Sequence, residues 1–189
     1  MRSNTPTVLV VDDDRELADL YTGWLAEQWD VRTAYGGNEA IELLSSEIDV
    51  ALLDRRMPET RGEDLLEYIR DRSYDVRIGM VTAVIPDIDI VEMGFDAYVV
   101  KPVDKDELQS LVESLYRRSR YDEQLQNYYS LVSKRASLES THAPGELQPV
   151  DEYHQLIEQI NELEAEIDQT IESLSPNDFD IELRRMIAD

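Results

Sequence analysis

Short strand-like runs, most of them wholly apolar, alternate with amphipathic segments from residue 8 to about residue 118. The runs fall at residues 8–11, 30–34, 50–53, 76–81 and 98–100. Their length and composition favour strands that are covered on both faces of a sheet. The segments between them carry apolar residues at helical spacing, notably over residues 15–28 and 62–71. Five strands alternating with helices predict an α/β fold on a parallel sheet with right-handed crossovers.

Local signals mark where these elements begin and end. Asp14 and Asp104 each precede a helical stretch and are expected to be its N-cap. Pro58 cannot continue a strand ladder or a helix interior, so the chain should turn shortly after the third strand. Residues 88–93 predict a short fourth helix, which Gly94 would close. The elements together predict a doubly wound, flavodoxin-like sheet of five strands in the order 2-1-3-4-5.

Polar residues follow four of these strands at the point where each strand ends. Asp12 and Asp13 follow the first, Asp54 the third, Thr82 the fourth and Lys101 the fifth. In a doubly wound sheet the carboxyl ends of the strands form the ligand-binding edge. Clustered carboxylates need a cation, and oxygen ligands without His or Cys favour Mg²⁺. With a hydroxyl and an ammonium group at the same edge, the set predicts phosphoryl transfer onto Asp54 as the nucleophile.

These strand ends resemble the signature of response-regulator receiver domains of two-component signalling. The motifs that carry the resemblance are Val11-Asp12-Asp13, Leu53-Asp54 with Met57-Pro58, Thr82-Ala83, and Tyr98 with Lys101-Pro102. The resemblance implies that Asp54 is the phospho-acceptor. It also implies that Mg²⁺ is the cofactor, held by Asp12, Asp13, Asp54 and the backbone carbonyl of Arg56.

The same resemblance assigns the remaining edge residues to phosphate binding and switching. Thr82 is expected to be the switch hydroxyl, Lys101 the cation that pairs with the phosphate, and Tyr98 the aromatic residue that changes rotamer. A histidine kinase is the implied phosphodonor. Such a domain catalyses only its own phosphorylation and dephosphorylation, so we expect a signalling switch and not an enzyme with a metabolic substrate.

Two features depart from the pattern typical of receivers. About three residues are missing between the switch hydroxyl and the lysine, which predicts that the fourth helix loses about one turn. This loss weakens the expectation that the protein dimerises through the face of the fourth helix, fifth strand and fifth helix. Arg56, two residues after the acceptor, is bulky and cationic. We predict that its side chain shields or neutralises the aspartyl phosphate and alters its lifetime.

Composition adds information about the surface and the source. The net charge is −24, and only three of the 18 basic residues are lysines, which resembles proteins of a salt-saturated cytoplasm and suggests a halophile. The same charge disfavours direct, non-specific binding to nucleic acid. The absence of cysteine excludes disulfides and thiolate chemistry. No signal-like or bilayer-spanning run is present, which predicts a cytoplasmic protein with no membrane partner.

The last third of the chain has a helical pattern of its own. An amphipathic stripe continues from Tyr121, breaks at residues 141–145, and resumes near Val150 with one polar interruption at Thr170. A helical hairpin and a short coiled coil fit this pattern about equally, and a brief terminal helix is expected at Pro176. The Tyr-rich helix, the break and the Glu-rich helix resemble the HalX domain that follows haloarchaeal receivers. We predict a receiver domain over 1–119 and a HalX-like output or interaction domain over 120–189.

The leading interpretation is a two-component response regulator in which phosphorylation of Asp54 switches the C-terminal helices, for transcriptional or other output. A homo-oligomer through those helices is expected, and direct DNA binding is disfavoured because no basic helix-turn-helix is visible. The alternative is a constitutive oligomerisation or scaffold protein with a structural receiver domain. A Mg²⁺-dependent phosphohydrolase is a third interpretation, but Arg56 stands where its second aspartate would be.

Overall fold

The computed structural model of the chain describes residues 5–143 and 145–173. Its elements in order are β1 (Thr7–Val11), α1 (Arg15–Leu25), β2 (Asp30–Ala34), α2 (Gly37–Leu43), β3 (Ile48–Leu53), α3 (Gly62–Asp71), β4 (Arg77–Thr82), a 3-10 helix (Ile88–Glu92), β5 (Ala97–Val100), α4 (Lys105–Thr141) and α5 (Asp151–Ser173). The predicted α/β region followed by an α-helical region is confirmed. None of the helices in these ranges has the length and apolar character needed to cross a membrane.

The five strands form one parallel sheet in the predicted order, β2-β1-β3-β4-β5. Near the carboxyl ends of the strands, Val11 pairs with Leu53, Leu53 with Met80, and Thr82 with Val100. This register brings the ends of β1, β3, β4 and β5 to one edge of the sheet. The residues that directly follow these strands therefore share that edge.

Two apolar clusters cover the two faces of the sheet. Successive side chains of a strand point to opposite faces, so Leu9 and Val11 belong to one cluster and Val8 and Val10 to the other. Helices α2 and α3 complete the first cluster, whereas α1 and α4 complete the second. Each fully buried aliphatic side chain contributes about 2 kcal/mol. Burial on both faces thus holds the strand ends in fixed positions.

Asp14 and Asp104 cap the helices that follow them, as predicted. Asp14 Oδ1 accepts hydrogen bonds from the backbone N–H groups of Glu16 at 3.1 Å and Leu17 at 3.2 Å. Asp104 forms a capping box with Glu107, in which each carboxylate accepts from the other residue's backbone N–H, at 2.9 Å and 3.1 Å. A cap of this kind stabilises a helix by about 1 kcal/mol.

A 3-10 helix replaces the predicted fourth α-helix. The segment Ile88–Glu92 is only five residues long, and its β-branched side chains and the preceding Pro86 disfavour a regular helix. The prediction that Gly94 closes a helix is wrong, because the segment ends in extended backbone at Met93 and Gly94 does not have positive φ. Losing one helical turn therefore underestimates the change in this region.

The described residues fall into two compact units that divide between Ser119 and Arg120, and α4 contributes to both. In the second unit, the C-terminal part of α4 and the whole of α5 run antiparallel. Thr170, near the end of α5, hydrogen-bonds Gln124 at 2.9 Å, whereas Tyr153, near its start, hydrogen-bonds Glu139 at 2.7 Å. The second unit is therefore the predicted helical hairpin.

The interior of the hairpin combines apolar and polar side chains. Ile160, Ile167 and Gln124 are buried. The Gln124 side-chain amide donates to Glu166 Oε2 at 3.4 Å and accepts from the Thr170 hydroxyl at 2.9 Å. Thr170, which interrupts the apolar stripe, thereby satisfies a buried amide. The predicted break at residues 141–145 is confirmed, because α4 ends at Thr141 and α5 begins at Asp151. The expected terminal helix at Pro176 lies outside the described residues.

Candidate functional site

The residues predicted from the strand ends meet at the carboxyl edge of the sheet. Backbone hydrogen bonds continue the strand ladder into this edge: Asp54 N donates to Val11 O at 2.9 Å, and Lys101 N donates to Thr82 O at 2.8 Å. These bonds fix the backbone positions of Asp54 and Lys101, from which their side chains extend. The parallel register thus brings together residues that are far apart in the sequence.

Lys101 joins two of the carboxylates directly. Its Nζ donates to Asp12 Oδ2 at 2.6 Å and to Asp54 Oδ2 at 2.9 Å. Asp12 is only 2% exposed and Asp54 only 9% exposed, so both carboxylates lie largely out of solvent. Burial raises the pKa of Asp12, although the hydrogen bond from Lys101 opposes this. Burial also lowers the pKa of Lys101, but the bonds to the two carboxylates outweigh it and the net direction is upward.

The three aspartates form an acidic cluster with the chemistry of a divalent-cation site. One carboxylate oxygen each of Asp12, Asp13 and Asp54 lie within 4.8 Å of one another. Asp13 is exposed, whereas Asp12 is held by the backbone N–H of Asp14, which donates to its Oδ1 at 3.1 Å. Hard oxygen donors with one open, solvent-facing side suit Mg²⁺, which keeps several of its waters. The residues present therefore fit this ion.

Thr82 and Tyr98 are connected through the backbone of Val84. Thr82 is fully buried, and its Oγ1 accepts from Val84 N at 3.3 Å. The Tyr98 hydroxyl donates to Val84 O at 2.9 Å, and its ring packs on Phe95. The structure thus places the predicted hydroxyl at the end of β4 and links it to the predicted aromatic residue of β5 through one residue of the loop after β4.

Arg56 lies at the edge of the site with its side chain exposed. Its backbone N–H donates to Asp54 Oδ1 at 3.3 Å. A concavity of about 720 Å³ lies beside it, and Arg55, Arg61, Glu63 and Asp89 are among the residues that line this space. The backbone of Arg56 thus contacts the proposed acceptor while its side chain is exposed to solvent.

Sequence reasoning missed Arg55. Although it follows the predicted acceptor directly, it is only 9% exposed, and its guanidinium forms ion pairs with Glu63 on α3 and Asp89 on the 3-10 helix. Hydrogen bonding to Asp89, and then to Glu63 and Tyr98, raises the pKa of Arg55 in spite of its burial. No local signal could identify these partners, because the sequence does not reveal which acids approach a given arginine in the fold.

Gly62 is the second residue that sequence reasoning missed. The start of α3 packs so closely on the acceptor loop that a Cβ at Gly62 would lie 2.1 Å from the backbone oxygen of Asp54. The Gly62 N–H donates to Arg55 O at 3.0 Å. Glycine is required here by close approach of two backbones, since Gly62 does not have positive φ. A glycine at the start of a predicted helix was the only signal available.

A five-stranded parallel sheet with an acidic cluster and a bridging lysine at its carboxyl edge defines a receiver-type signalling domain. The chain belongs to this family: the response regulator receiver domain matches residues 8–113. The HalX domain matches residues 117–183. The two resemblances inferred from sequence motifs are thereby confirmed.

Known proteins resemble the chain over different extents. A protein of Haloferax volcanii named "Putative transcriptional regulator" is 51% identical over 140 residues, which cover 74% of this chain but 24% of that protein. The transcriptional regulatory protein CpxR of Escherichia coli K12 is 39% identical over 124 residues, which cover 64% of this chain and 53% of CpxR. The chain thus spans about a quarter and about half of these relatives.

Solved structures match the receiver part. A CheY-like receiver domain protein from Methanospirillum hungatei is 25% identical with a TM-score of 0.59, over 63% of this chain and 99% of that one. The response regulator TrrA from Thermotoga maritima, solved in complex with Mg²⁺–BeF, is 31% identical with a TM-score of 0.51, over 58% of this chain and 98% of that one. Both matches agree with the observed strand order.

Proposed function

We propose that this chain is a response regulator in which Asp54 accepts a phosphoryl group from a histidine kinase with Mg²⁺ as cofactor. The observation that carries the proposal is the position of Asp54, which shares Lys101 with Asp12 at 2.9 Å and 2.6 Å and lies within the acidic cluster. The Mg²⁺–BeF complex of the related TrrA protein supports the choice of cation. A signalling role without a metabolic substrate follows from this chemistry.

In the proposed reaction, a carboxylate oxygen of Asp54 attacks the phosphorus of a phosphohistidine. A P–O bond to Asp54 forms as the P–N bond breaks, and the imidazole leaves with the bonding electron pair and takes up a proton. Asp12, Asp13, Asp54 and the backbone carbonyl of Arg56 would hold Mg²⁺, which would offset the negative charge of the phosphoryl oxygens. Lys101, whose Nζ donates to Asp54 Oδ2 at 2.9 Å, would pair with a phosphoryl oxygen on Asp54.

Thr82 and Tyr98 are the proposed switch residues. A phosphoryl oxygen on Asp54 would attract the Thr82 hydroxyl, which now accepts from Val84 N at 3.3 Å. Movement of Thr82 would shift Val84, whose carbonyl accepts from the Tyr98 hydroxyl at 2.9 Å. A change at the acceptor would thus reach the side chain of Tyr98 through one loop residue.

We further propose that residues 1–119 are the receiver domain and 120–189 the output or interaction domain. The division of the described residues between Ser119 and Arg120 supports this boundary. The Haloferax relative, named as a transcriptional regulator, supports a transcriptional output. Because the net charge of −24 opposes direct DNA contact, we propose that the hairpin acts through a protein partner or a second copy of the chain.

The test is phosphorylation of the full chain with acetyl phosphate and Mg²⁺ in molar KCl, followed by intact mass measurement. We expect a single phosphoryl adduct in the wild type and in Asp75→Asn, an exposed control with the same change of acid to amide, and no adduct in Asp54→Asn. An adduct of equal yield in Asp54→Asn, or none in folded wild type, would contradict the proposal. Light scattering on the same samples tests the scaffold alternative, which predicts a molar mass that phosphorylation does not change.

A further inference from the structure

The side chain of Arg55 occupies an unusual position for a charged group. It comes from the residue next to the proposed acceptor, yet it is buried and pairs with acids on two other elements. Its Nε donates to Glu63 at the start of α3, and its Nη2 donates to Asp89 on the 3-10 helix. A buried guanidinium without partners would be strongly destabilising. These two carboxylates therefore compensate its charge.

The pair with Asp89 connects two parts of the chain that are distant in sequence. Asp89 is 34 residues from Arg55 in the sequence and belongs to the short segment that replaces a regular helix. The segment has no buried residues, so apolar packing contributes little to its position. A five-residue 3-10 helix is also weakly stabilised by its own hydrogen bonds. The ion pair thus joins this segment directly to the acceptor loop.

The segment presents apolar side chains to solvent. Ile88 is 84% exposed, and Ile85 and Val91 are each 77% exposed. Exposed apolar side chains on one loop can together form an interaction surface. The position of the segment therefore determines where these three side chains are presented.

The opposite end of the same loop begins at the proposed switch. Thr82 and Val84 precede the segment, and the Tyr98 hydroxyl donates to Val84 O at 2.9 Å. Arg55 contacts the segment at Asp89, and the switch lies at the start of the same loop. Arg55 is covalently joined to Asp54 as well.

We infer that Arg55 is a positioning residue which, through its ion pair with Asp89, tethers the 3-10 helix to the acceptor loop and relays the state of Asp54 to the exposed isoleucine and valine side chains. The relay rests on the proposed phosphorylation of Asp54, whereas the tether does not. A phosphoryl group adds negative charge one residue from Arg55 and recruits Thr82, so both ends of the loop would respond together.

The absence of cysteine allows a direct test in the full chain. A nitroxide attached at Ile88→Cys, an exposed position, reports the mobility of the segment by electron paramagnetic resonance. Asp89→Asn removes the proposed tether. Glu92→Gln is the matched control, because it removes the same charge from the same segment and Glu92 carries no ion pair within the described part of the chain. Arg55→Lys is a second variant, since lysine keeps the charge but lacks the fork that reaches two carboxylates.

Before any phosphodonor is added, we expect Asp89→Asn and Arg55→Lys to raise the mobility of the label by about threefold, and Glu92→Gln to leave it unchanged. After acetyl phosphate and Mg²⁺ are added in molar KCl, the spectrum of the parent, which is the labelled Ile88→Cys protein without a further substitution, should shift. Asp89→Asn should lose most of that shift while forming the same phosphoryl adduct by intact mass. The buried position of Arg55 limits the screening of the pair by salt.

A label in Asp89→Asn with the mobility of the parent would overturn the tether. A full phosphorylation-dependent shift in Asp89→Asn, with the adduct present, would overturn the relay. If neither the labelled parent nor its variants formed a phosphoryl adduct, the proposed function would be refuted. The mobility measured without phosphodonor would still decide whether the tether exists.

Discussion

At the scale of single residues, the charge balance of the site decides its chemistry. Asp12, Asp13 and Asp54 carry three negative charges close together, and Lys101 supplies one positive charge to two of them. The remaining negative charge favours a divalent cation. Asp54 is the member of this cluster that both accepts from Lys101 and has a second oxygen facing the Arg56 N–H. Both of its carboxylate oxygens are thus held by hydrogen bonds.

Gly62→Ala should destabilise the receiver because the new Cβ would lie 2.1 Å from the backbone oxygen of Asp54, where no flexible side chain can yield. We expect the free energy of unfolding to fall by about 2–3 kcal/mol. Urea unfolding followed by fluorescence of Trp24 and Trp29 measures it. Gly23→Ala on α1 is the control, since nothing lies within 4 Å of a Cβ added at Gly23. This substitution should raise the free energy of unfolding by about 0.5–1 kcal/mol. Equal effects of the two substitutions would contradict the argument.

Arg56→Ala should shorten the lifetime of the phosphorylated state, because we propose that the exposed side chain of Arg56, two residues after Asp54, covers and neutralises the phosphoryl group. A charge-assisted contact of about 1 kcal/mol corresponds to an increase of about fivefold in the hydrolysis rate. Decay of the phosphoryl adduct, followed by intact mass after removal of the phosphodonor, measures this rate. Arg61→Ala, another exposed arginine of the same concavity, should decay like the wild type. An unchanged rate in Arg56→Ala would remove the proposed role.

At the scale of elements, the two units differ in how they are stabilised. The receiver sheet is covered on both faces by apolar clusters, whereas the described part of the hairpin buries Ile160 and Ile167 beside a polar contact between Gln124 and Thr170. A buried polar pair adds little net stability but specifies one register, because any slip leaves the amide without partners. The hairpin is therefore expected to depend on few side chains.

Ile160→Ala should lower the free energy of unfolding of the hairpin by about 2–4 kcal/mol, because this side chain is 2% exposed and its loss leaves a cavity. Ile171→Ala, at 47% exposure on the same helix, should cost less than about 1 kcal/mol. Both tryptophans lie before residue 120, so their fluorescence reports the receiver, whereas far-ultraviolet circular dichroism also reports the hairpin. We expect Ile160→Ala to shift only the circular dichroism transition. Coincident shifts of both signals would contradict the proposed domain boundary.

At the scale of the whole molecule, charge is the dominant feature. A net charge of −24 on 189 residues repels itself in dilute buffer, and the repulsion acts on the folded state more than on the expanded chain. At 1 M salt the screening length falls to about 3 Å, so only direct neighbours still interact. The fold should therefore be most stable in concentrated salt, which agrees with the resemblance to a Haloferax volcanii protein.

Raising KCl from 0.1 M to 2 M should increase the thermal midpoint by more than about 5 °C through screening of this charge. Differential scanning calorimetry measures the midpoint. Sucrose at equal osmolality is the control, because it favours the compact state without screening charge and should have a smaller effect. A midpoint that follows sucrose as closely as KCl would show that repulsion is not the cause.

Much of the fold and of the site could be predicted because the signals are local. Apolar runs marked the strands, and Asp14 and Asp104 marked the starts of two helices. The strand-end residues Asp54 and Lys101 could be placed at one edge because parallel strands share a direction. The roles assigned to these residues stay predictions until phosphorylation is measured.

The remaining features depend on contacts between distant parts of the chain. The partners of Arg55 and the backbone packing at Gly62 had no decisive local signature. The missing residues before Lys101 indicated a shorter fourth helix but not its replacement by a 3-10 helix. The Thr170 side chain was a defect in the apolar stripe until its partner Gln124, 46 residues away, was known. In each case the energy comes from atoms that only folding brings together.

The sequence by itself determined the order of strands and helices, the acidic and cationic residues of the edge, and the charge of the whole molecule, because periodicity, turn residues and composition are local properties. Only the tertiary structure decided that Lys101 bridges Asp12 and Asp54, that Arg55 is buried between Glu63 and Asp89, and that α5 packs back on α4. These features depend on distances and burial, which exist only once the sheet and helices have packed.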